Sequence, residues 1–94
     1  MTINAAIQLL PLETTEHRYN VIDRAIALIE ASGLPYKVCP FETVVEGEST
    51  AVFTLLQKIQ VQTLQNNCNE MLMNIKIHAA NKDLHFEDKI AKFQ

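Results

Sequence analysis

Apolar side chains recur at every second position in two separate parts of the chain, and each part predicts a β-strand. The first strand runs from Ile3 to Leu10, and Pro11 is expected to end it. The second runs from Met71 to His78. In both strands the alternation separates one set of side chains that faces a layer of helices from another set on the opposite face of the sheet.

A helix is predicted after the first strand, from about Glu16 to Ser32, because its apolar residues fall at the spacing of one helical face. Thr14 or Thr15 is available as the N-cap of this helix. Gly33 is expected to end it in a left-handed conformation, which glycine adopts without steric cost.

The middle of the chain predicts two short strands and a second helix. The runs Leu34 to Cys39 and Thr43 to Glu46 are rich in β-forming residues and flank Pro40, which predicts a hairpin or a bent strand pair with a bulge at that proline. From about Ser49 to Asn66 the apolar residues return to helical spacing.

The order of these elements predicts an α+β fold of the ferredoxin-like βαββαβ type, a four-stranded antiparallel sheet with two helices on one face. We assign residues 1–80 to this domain and residues 81–94 to a C-terminal tail. Phe86, Ile90 and Phe93 lie at helical spacing in the tail and predict a short third helix, which packs over the domain or over a neighbouring copy.

The sheet face away from the helices is expected to mix apolar and amide groups. The residues predicted on it are Asn4, Ala6, Gln8 and Leu10 from the first strand and Leu72, Asn74, Lys76 and His78 from the fourth. The third strand can contribute in either of two phases, with Glu42, Val44 and Glu46 or with Phe41, Thr43 and Val45 on this face. The sequence leaves the phase open, and we favour the first because it buries Phe41 and Val45.

The composition is that of a globular domain, with 48% hydrophobic residues and a formal net charge of −3. Its basic residues are scattered, which argues against a nucleic-acid partner. The chain shows no apolar run long enough for a membrane span and no secretory leader, so we expect a cytoplasmic protein without a membrane partner. Cys39 and Cys68 are too few for a disulfide framework and predict buried or half-buried thiols.

The residues show no pattern typical of catalysis or of a metal site. His17, His78 and His85 lack metal-ligand spacing, and neither glycine belongs to a phosphate-binding loop. We therefore expect a protein that is not an enzyme and that holds no cofactor or metal.

The stretch from Pro40 to Glu48 concentrates carboxylates beside a phenylalanine. Carboxylates on a strand at this place can face a cation, since a buried cation needs a partner of opposite charge. For Glu48 a simpler interpretation is favoured, because an acidic group there stabilises the positive end of the following helix.

Three blocks of sequence give the chain a family resemblance. They run from Leu9 to Leu12 at the end of the first strand, from Pro40 to Glu48 in the middle, and from Asn74 to Ile77 in the last strand. With the spacing between them, these blocks resemble the small thiamine-binding proteins of ferredoxin-like fold. The resemblance covers nearly the whole chain, and its central block is the most specific part.

The resemblance implies a non-catalytic protein that binds thiamine or its hydroxymethylpyrimidine precursor, in storage, delivery or sensing, and that assembles into a dimer or tetramer. An aminopyrimidine needs a paired donor and acceptor, and a thiazolium cation gains from carboxylates and aromatic faces. The candidate ligand-binding residues are Gln8, Glu42, Thr43, Glu46 and Asn74. The alternative is a structural or regulatory oligomerisation module with no small-molecule ligand.

Overall fold

A computed structural model describes residues 1–93 of the chain. In chain order its elements are β1 (Thr2–Thr14), α1 (Arg18–Ala31), β2 (Tyr36–Val38), β3 (Thr43–Glu48), α2 (Ser49–Gln65), β4 (Cys68–His78), α3 (Phe86–Ile90) and a 3₁₀ turn (Ala91–Phe93). The strands form one sheet in the order β2-β3-β1-β4, and each neighbouring pair is antiparallel. This arrangement confirms the predicted βαββαβ fold.

The strand register sorts the side chains onto two faces of the sheet. Ala5 of β1 lies opposite Val45 of β3, and both are buried on the side that α1 and α2 cover. Asn4 lies opposite Glu46 on the other side, which we call the sheet face. The favoured phase of β3 is therefore confirmed for the residues within the strand.

The hydrophobic core fills the space between the sheet and the two long helices. Its buried side chains are Ile3, Ala5, Ile7, Leu9, Val21, Ala25, Ile29, Val45, Val52, Leu55, Leu56, Ile59 and Cys68. Burying a large aliphatic side chain stabilises a fold by about 1.5–3 kcal/mol, so this layer is the main favourable contribution to folding. Within residues 1–93, no helix combines the length and the apolar character needed to cross a membrane.

β1 is longer than predicted and continues through Pro11 to Thr14. Among the described residues it pairs with β3 only as far as Ile7, and beyond that point it pairs with β4 alone. Proline lacks the N–H that a strand donates, so a strand tolerates it where one of its edges is free. The prediction that Pro11 ends the strand was wrong for this reason, although the register does shift just after it.

The two ends of α1 differ in how well they follow the prediction. Neither Thr14 nor Thr15 caps its start; His17 is the N-cap, and its Nδ1 accepts a hydrogen bond from the backbone N–H of Tyr19 at 3.2 Å. After its last turn Gly33 has a φ of 78°, so the predicted left-handed glycine is confirmed.

Two side chains in the connection between β2 and β3 are more exposed than predicted. Phe41 is 83% exposed, and Cys39 is an exposed thiol rather than a buried one. Both lie outside the strands, where no alternation holds a side chain against the core. Phe41 was expected to be buried together with Val45, and only Val45 is.

β4 begins earlier than predicted, at Cys68, and lies at the edge of the sheet. Ile75 lies opposite the buried Ile7, so the apolar set of β4 does point toward the helical side as predicted. Ile75 is nevertheless 41% exposed. A strand at the edge of a sheet has a neighbouring strand on one side only. The side chain of Ile75 therefore points toward the helical side but is not fully covered by the core.

The C-terminal tail folds back over the sheet face of its own domain. The backbone N–H of Leu84 donates to the backbone oxygen of Thr2 at 3.0 Å, and the side-chain amide of Asn4 donates to the backbone oxygen of Leu84 at 3.0 Å. These bonds bring α3, the predicted short helix, across the Asn4 end of the sheet face. Phe86 is half-buried, whereas Phe93 stays exposed.

Candidate functional site

An amide pair lies on the half of the sheet face that α3 leaves uncovered. Gln8 and Asn74 are directly opposite each other in the β1–β4 register. The Nδ2 atom of Asn74 donates a hydrogen bond to the Oε1 atom of Gln8 at 3.2 Å. The amide nitrogen of Gln8 and the carbonyl oxygen of Asn74 take no part in this bond, so donor and acceptor groups are available to a ligand side by side.

Glu46 lies on the other half of the sheet face, and its carboxylate is engaged by the tail. Its Oε2 atom is 2.9 Å from Nδ1 of His85, and its Oε1 atom accepts the backbone N–H of Phe86 at 3.1 Å. A carboxylate only accepts, so the histidine ring donates. The hydrogen bond with Glu46, together with the negative charge of that group, raises the pKa of His85. Glu46 is buried and in this conformation holds α3 on the sheet.

Glu42 and Thr43 border a cleft at the end of the sheet where β3 begins. This cleft has a volume of about 510 Å³ and lies between the C-terminal half of β1, one face of α1 and the β2–β3 connection. It exists because the pairing of β1 with β3 stops at the Ile7–Thr43 pair, so the rest of β1 borders open space on that side. We call it the Glu42 cleft. Its lining also includes Gln8 and a largely apolar wall, with Leu9, Leu10, Leu12, Ile22, Ile26 and Ile29.

Two exposed aromatic rings and two charged groups stand around the Glu42 cleft. Tyr19 and Phe41 line it and are 57% and 83% exposed. The guanidinium carbon of Arg18 lies 5.4 Å from the centroid of the Tyr19 ring. Glu42 is held in place by its backbone oxygen, which accepts the N–H of Cys39 at 2.9 Å and closes the β2–β3 connection. The cleft can therefore stack a planar heterocycle on apolar and aromatic surface and place a cation near a carboxylate.

The structure brings three of the candidate residues to one place. Gln8, Glu42 and Thr43 all border the Glu42 cleft. The side chain of Gln8 lies on the sheet face, whereas Thr43 is opposite the buried Ile7 and lies on the helical side, so the two reach the cleft from different sides of the sheet. Asn74 is joined to this group through its hydrogen bond to Gln8. Glu46 lies apart from them, beneath α3.

The histidines are dispersed, as their sequence positions suggested. His17 caps α1, His85 contacts Glu46, and His78 lies at the end of β4 on the sheet face. In the part of the chain that the structure describes, no three His, Cys, Asp or Glu side chains are grouped so that they could hold a metal ion.

Sequence reasoning missed Tyr19 as a ring of the cleft and the histidine that holds α3, and it expected Phe41 to be buried in the core. Tyr19 lies in the first turn of α1, outside the apolar stripe that the sequence analysis followed, and Phe41 lies in a connection, where no period assigns a side chain to a face. His85 precedes α3, far from Glu46 in sequence, and only the folded chain brings the two together. The carboxylate-rich block around Phe41 was the one signal that marked the cleft in advance.

Comparison with known proteins gives a consistent result along the whole chain. A sequence model of the family described as thiamine-binding protein matches residues 5–94. A UPF0045 protein of Clostridium perfringens is 26% identical over 93 residues, which covers 99% of this chain and 98% of that protein. The fold of a DUF77 domain of unknown function from Bacillus cereus superposes with a TM-score of 0.94 at 25% identity, over 100% of this chain and 91% of that one.

A Thermotoga maritima structure has the same fold, with a TM-score of 0.92 at 24% identity and full coverage of both chains. That protein has a proposed role in thiamine biosynthesis or salvage. A Streptococcus pneumoniae protein of known structure is 31% identical, with a TM-score of 0.82, over 97% of this chain and 99% of its own.

Proposed function

Because this chain belongs to the thiamine-binding protein family, we propose that it binds thiamine, or the hydroxymethylpyrimidine part of thiamine, in the Glu42 cleft without transforming it. One observation carries the proposal: the cleft joins Gln8, Glu42 and Thr43 to two exposed aromatic rings in a chain of this family. Storage, delivery and sensing all require such reversible binding.

Each part of the ligand has a complementary part of the site. The free donor of Gln8 and the free acceptor of Asn74 suit the edge of an aminopyrimidine, which offers both an acceptor and a donor. The thiazolium carries a permanent positive charge and is stabilised by the Glu42 carboxylate and by the face of Phe41. The Tyr19 ring already stacks on His17 and lies beside the Arg18 guanidinium, so it contributes apolar surface and not a free face for the cation. Thr43 supplies a hydroxyl at the wall of the cleft. Glu46 lies outside the cleft and is engaged by the tail, so it makes no direct contact with the ligand in this proposal.

Calorimetric titration of the purified protein with thiamine tests the proposal. We expect saturable binding and a ligand-dependent rise of the melting temperature, because a ligand that binds only the folded state stabilises it. Absence of both heat and stabilisation at saturating thiamine would overturn the proposal and leave the oligomerisation module as the better account.

Replacing Glu42 separates the two halves of the ligand. E42Q is expected to weaken thiamine binding about two- to fivefold, the range for a partly exposed ion pair, and to leave the binding of neutral hydroxymethylpyrimidine unchanged. E30Q is the matched control, since Glu30 is an exposed carboxylate on α1 outside the cleft. Equal losses in E42Q and E30Q would mean that the cation lies elsewhere.

Replacing Phe41 tests the aromatic contribution. F41A is expected to weaken thiamine binding several-fold, because a cation over an exposed ring gains about 0.5–1 kcal/mol. F53A is the control, since Phe53 is also exposed but lies on α2, outside the cleft. If F53A weakened binding as much as F41A, the ring of Phe41 would have no special role.

We also propose that the protein self-associates to a dimer or tetramer through the uncovered half of the sheet face. Leu10 and Leu72 are directly opposite each other there and are 38% and 45% exposed. Leu10 and Leu72 thus form an exposed apolar surface beside the Gln8–Asn74 amides. Covering this surface with a second copy of the chain would stabilise the assembly.

A further inference from the structure

A second cavity lies between the sheet face and α3, apart from the Glu42 cleft. It has a volume of about 290 Å³. Its floor includes Ala6 and Val44, which are cross-strand neighbours in the β1–β3 register, and its wall includes Phe86 and Ile90 of α3. The short side chain of Ala6 leaves the space that the two larger side chains of α3 enclose.

Three lysines line this cavity, in a protein whose net charge is −3. The register places two of them in one row across the sheet: Lys37 lies opposite Val44, Val44 opposite Ala6, and Ala6 opposite Lys76. Neighbouring strands are about 4.8 Å apart, so the backbone positions of these two lysines are about 14 Å apart, one at each end of the floor. Lys89 joins them from α3.

The positive charge around the cavity is only partly compensated. Lys37 forms an ion pair with Glu87 at 2.7 Å, and its ammonium lies 5.7 Å from the centroid of the Phe86 ring. Lys76 and Lys89 form no ion pair with another residue between 1 and 93. Among the residues that line the cavity no carboxylate occurs. Apolar walls lower the local dielectric constant and strengthen the attraction for an anion.

One buried polar atom at this cavity also lacks a partner. Asn4 lines the cavity and is 6% exposed; its amide nitrogen donates to the backbone oxygen of Leu84. Its Oδ1 atom is buried and has no hydrogen-bond partner among the described residues. Buried acceptors are nearly always satisfied in proteins, so this atom would be stabilised by a hydroxyl or amine donor of a ligand and not by its anionic group.

We propose that this cavity, the α3 cavity, is a second binding site, which takes a small organic anion with an apolar body. The apolar part lies between Ala6, Val44 and the α3 side chains Phe86 and Ile90. The anionic group meets Lys76 and Lys89. Thiamine itself is a cation and is not the ligand of this site, so the two sites differ in the sign of the charge that they select.

Phenyl phosphate is a suitable probe, because it joins an aromatic ring to an anion. We expect it to bind the purified full chain in calorimetry and to shift the amide resonances of Ala6 and Phe86 in NMR spectra. Inorganic phosphate carries the charge without the ring, and benzyl alcohol carries the ring without the charge. Both are expected to bind at least about tenfold more weakly, since each makes only part of the contacts. If inorganic phosphate and phenyl phosphate bound with equal affinity, the apolar walls would not contribute to binding, and the proposal would be contradicted.

Two charge variants locate the anion. The double variant K76Q/K89Q is expected to weaken phenyl phosphate binding about tenfold, and the matched control K58Q, an exposed lysine on α2, to leave it unchanged. Absence of phenyl phosphate binding, resonance shifts at other residues, or the same loss in K58Q would each overturn the proposal.

The same variants keep this proposal separate from the thiamine proposal. K76Q/K89Q is expected to bind thiamine as the parent protein does, and E42Q to bind phenyl phosphate as the parent protein does. If thiamine fails to bind while phenyl phosphate binds as described, the proposal for the α3 cavity is supported and the proposal for the Glu42 cleft is contradicted.

Discussion

Glu46 is a buried carboxylate whose two oxygens are both used in holding the C-terminal tail. One oxygen contacts the exposed ring of His85, and the other accepts the N–H of Phe86 at the start of α3. A buried carboxylate that loses such partners remains desolvated without compensation, which is costly. The pair therefore couples the position of α3 to the protonation of a single histidine.

The contact predicts a pH dependence for the tail. Because the hydrogen bond to Glu46 raises the pKa of His85 above its ordinary value of 6.5, protonation stabilises the docked tail. This contribution is fully present below pH 6.5 and is lost as the pH rises through the higher pKa of the folded state. Amide hydrogen exchange at Phe86 should therefore become less protected across that interval.

Two variants make this test specific to His85. In H85Q the change in protection with pH should disappear, whereas H78Q should behave as the parent protein at each pH. His78 also lies on the sheet face but forms no ion pair with a described residue, so it is a matched control. A parent-like pH profile in H85Q would show that another group governs the tail.

At the scale of elements, α2 shows how a helix divides its leucines between core and solvent. Leu55 is 4% exposed and faces the sheet, whereas Leu64, on the same helix, is 43% exposed. L55A should lower the free energy of unfolding by about 2–5 kcal/mol, because it removes buried methyl groups and leaves a cavity. L64A, the same chemical change, should cost less than about 1 kcal/mol. Urea unfolding of both variants measures the difference, and similar losses would contradict the difference in burial between Leu55 and Leu64.

The C-terminal end of α1 depends on the conformation of one glycine. Gly33 has a φ of 78°, and nothing lies within 4 Å of the place where a Cβ would be, so a substitution there is strained by the backbone and not by crowding. G33A should lower stability by about 1 kcal/mol, since alanine disfavours the left-handed region. G33N should cost less, because asparagine tolerates that region. Thermal unfolding compares them, and equal losses would point to a cause other than φ.

At the scale of the whole molecule, one half of the sheet face is covered by the C-terminal tail and the other half is exposed. The half at Asn4 is covered by the tail, with the α3 cavity between them. The half at Leu10 and Leu72 is bare and lies next to the amides of Gln8 and Asn74. Association of copies through the bare half would leave the tail and the α3 cavity on each copy unchanged.

Sedimentation velocity measures this association. The parent protein is expected to sediment as a dimer or tetramer, and L72E to shift toward monomer, because a carboxylate would be buried in the interface without a partner. V61E is the control, since Val61 is similarly exposed but lies on α2, in the opposite layer. A monomeric parent protein would contradict the proposal, and so would dissociation by V61E alone.

The sequence by itself determined the order and type of the elements. Period-2 alternation in β1 and β4, helical spacing in α1 and α2, and the left-handed Gly33 are all local signals, which act over a few neighbouring residues. From them follow the four-stranded sheet, its two faces and the placement of Gln8, Glu46 and Asn74 on the sheet face. The sequence left the phase of β3 open between two choices, and the pairing of Ala5 with Val45 confirms the one that was favoured.

Only the tertiary structure decided which of those residues meet. Pro11 lies inside β1 because β3 pairs no farther than Ile7, and the same early end of pairing opens the Glu42 cleft. Glu46 forms a hydrogen bond with His85 because the C-terminal tail folds back across the sheet. These outcomes depend on contacts between residues far apart in the chain, and a local pattern carries no information about them.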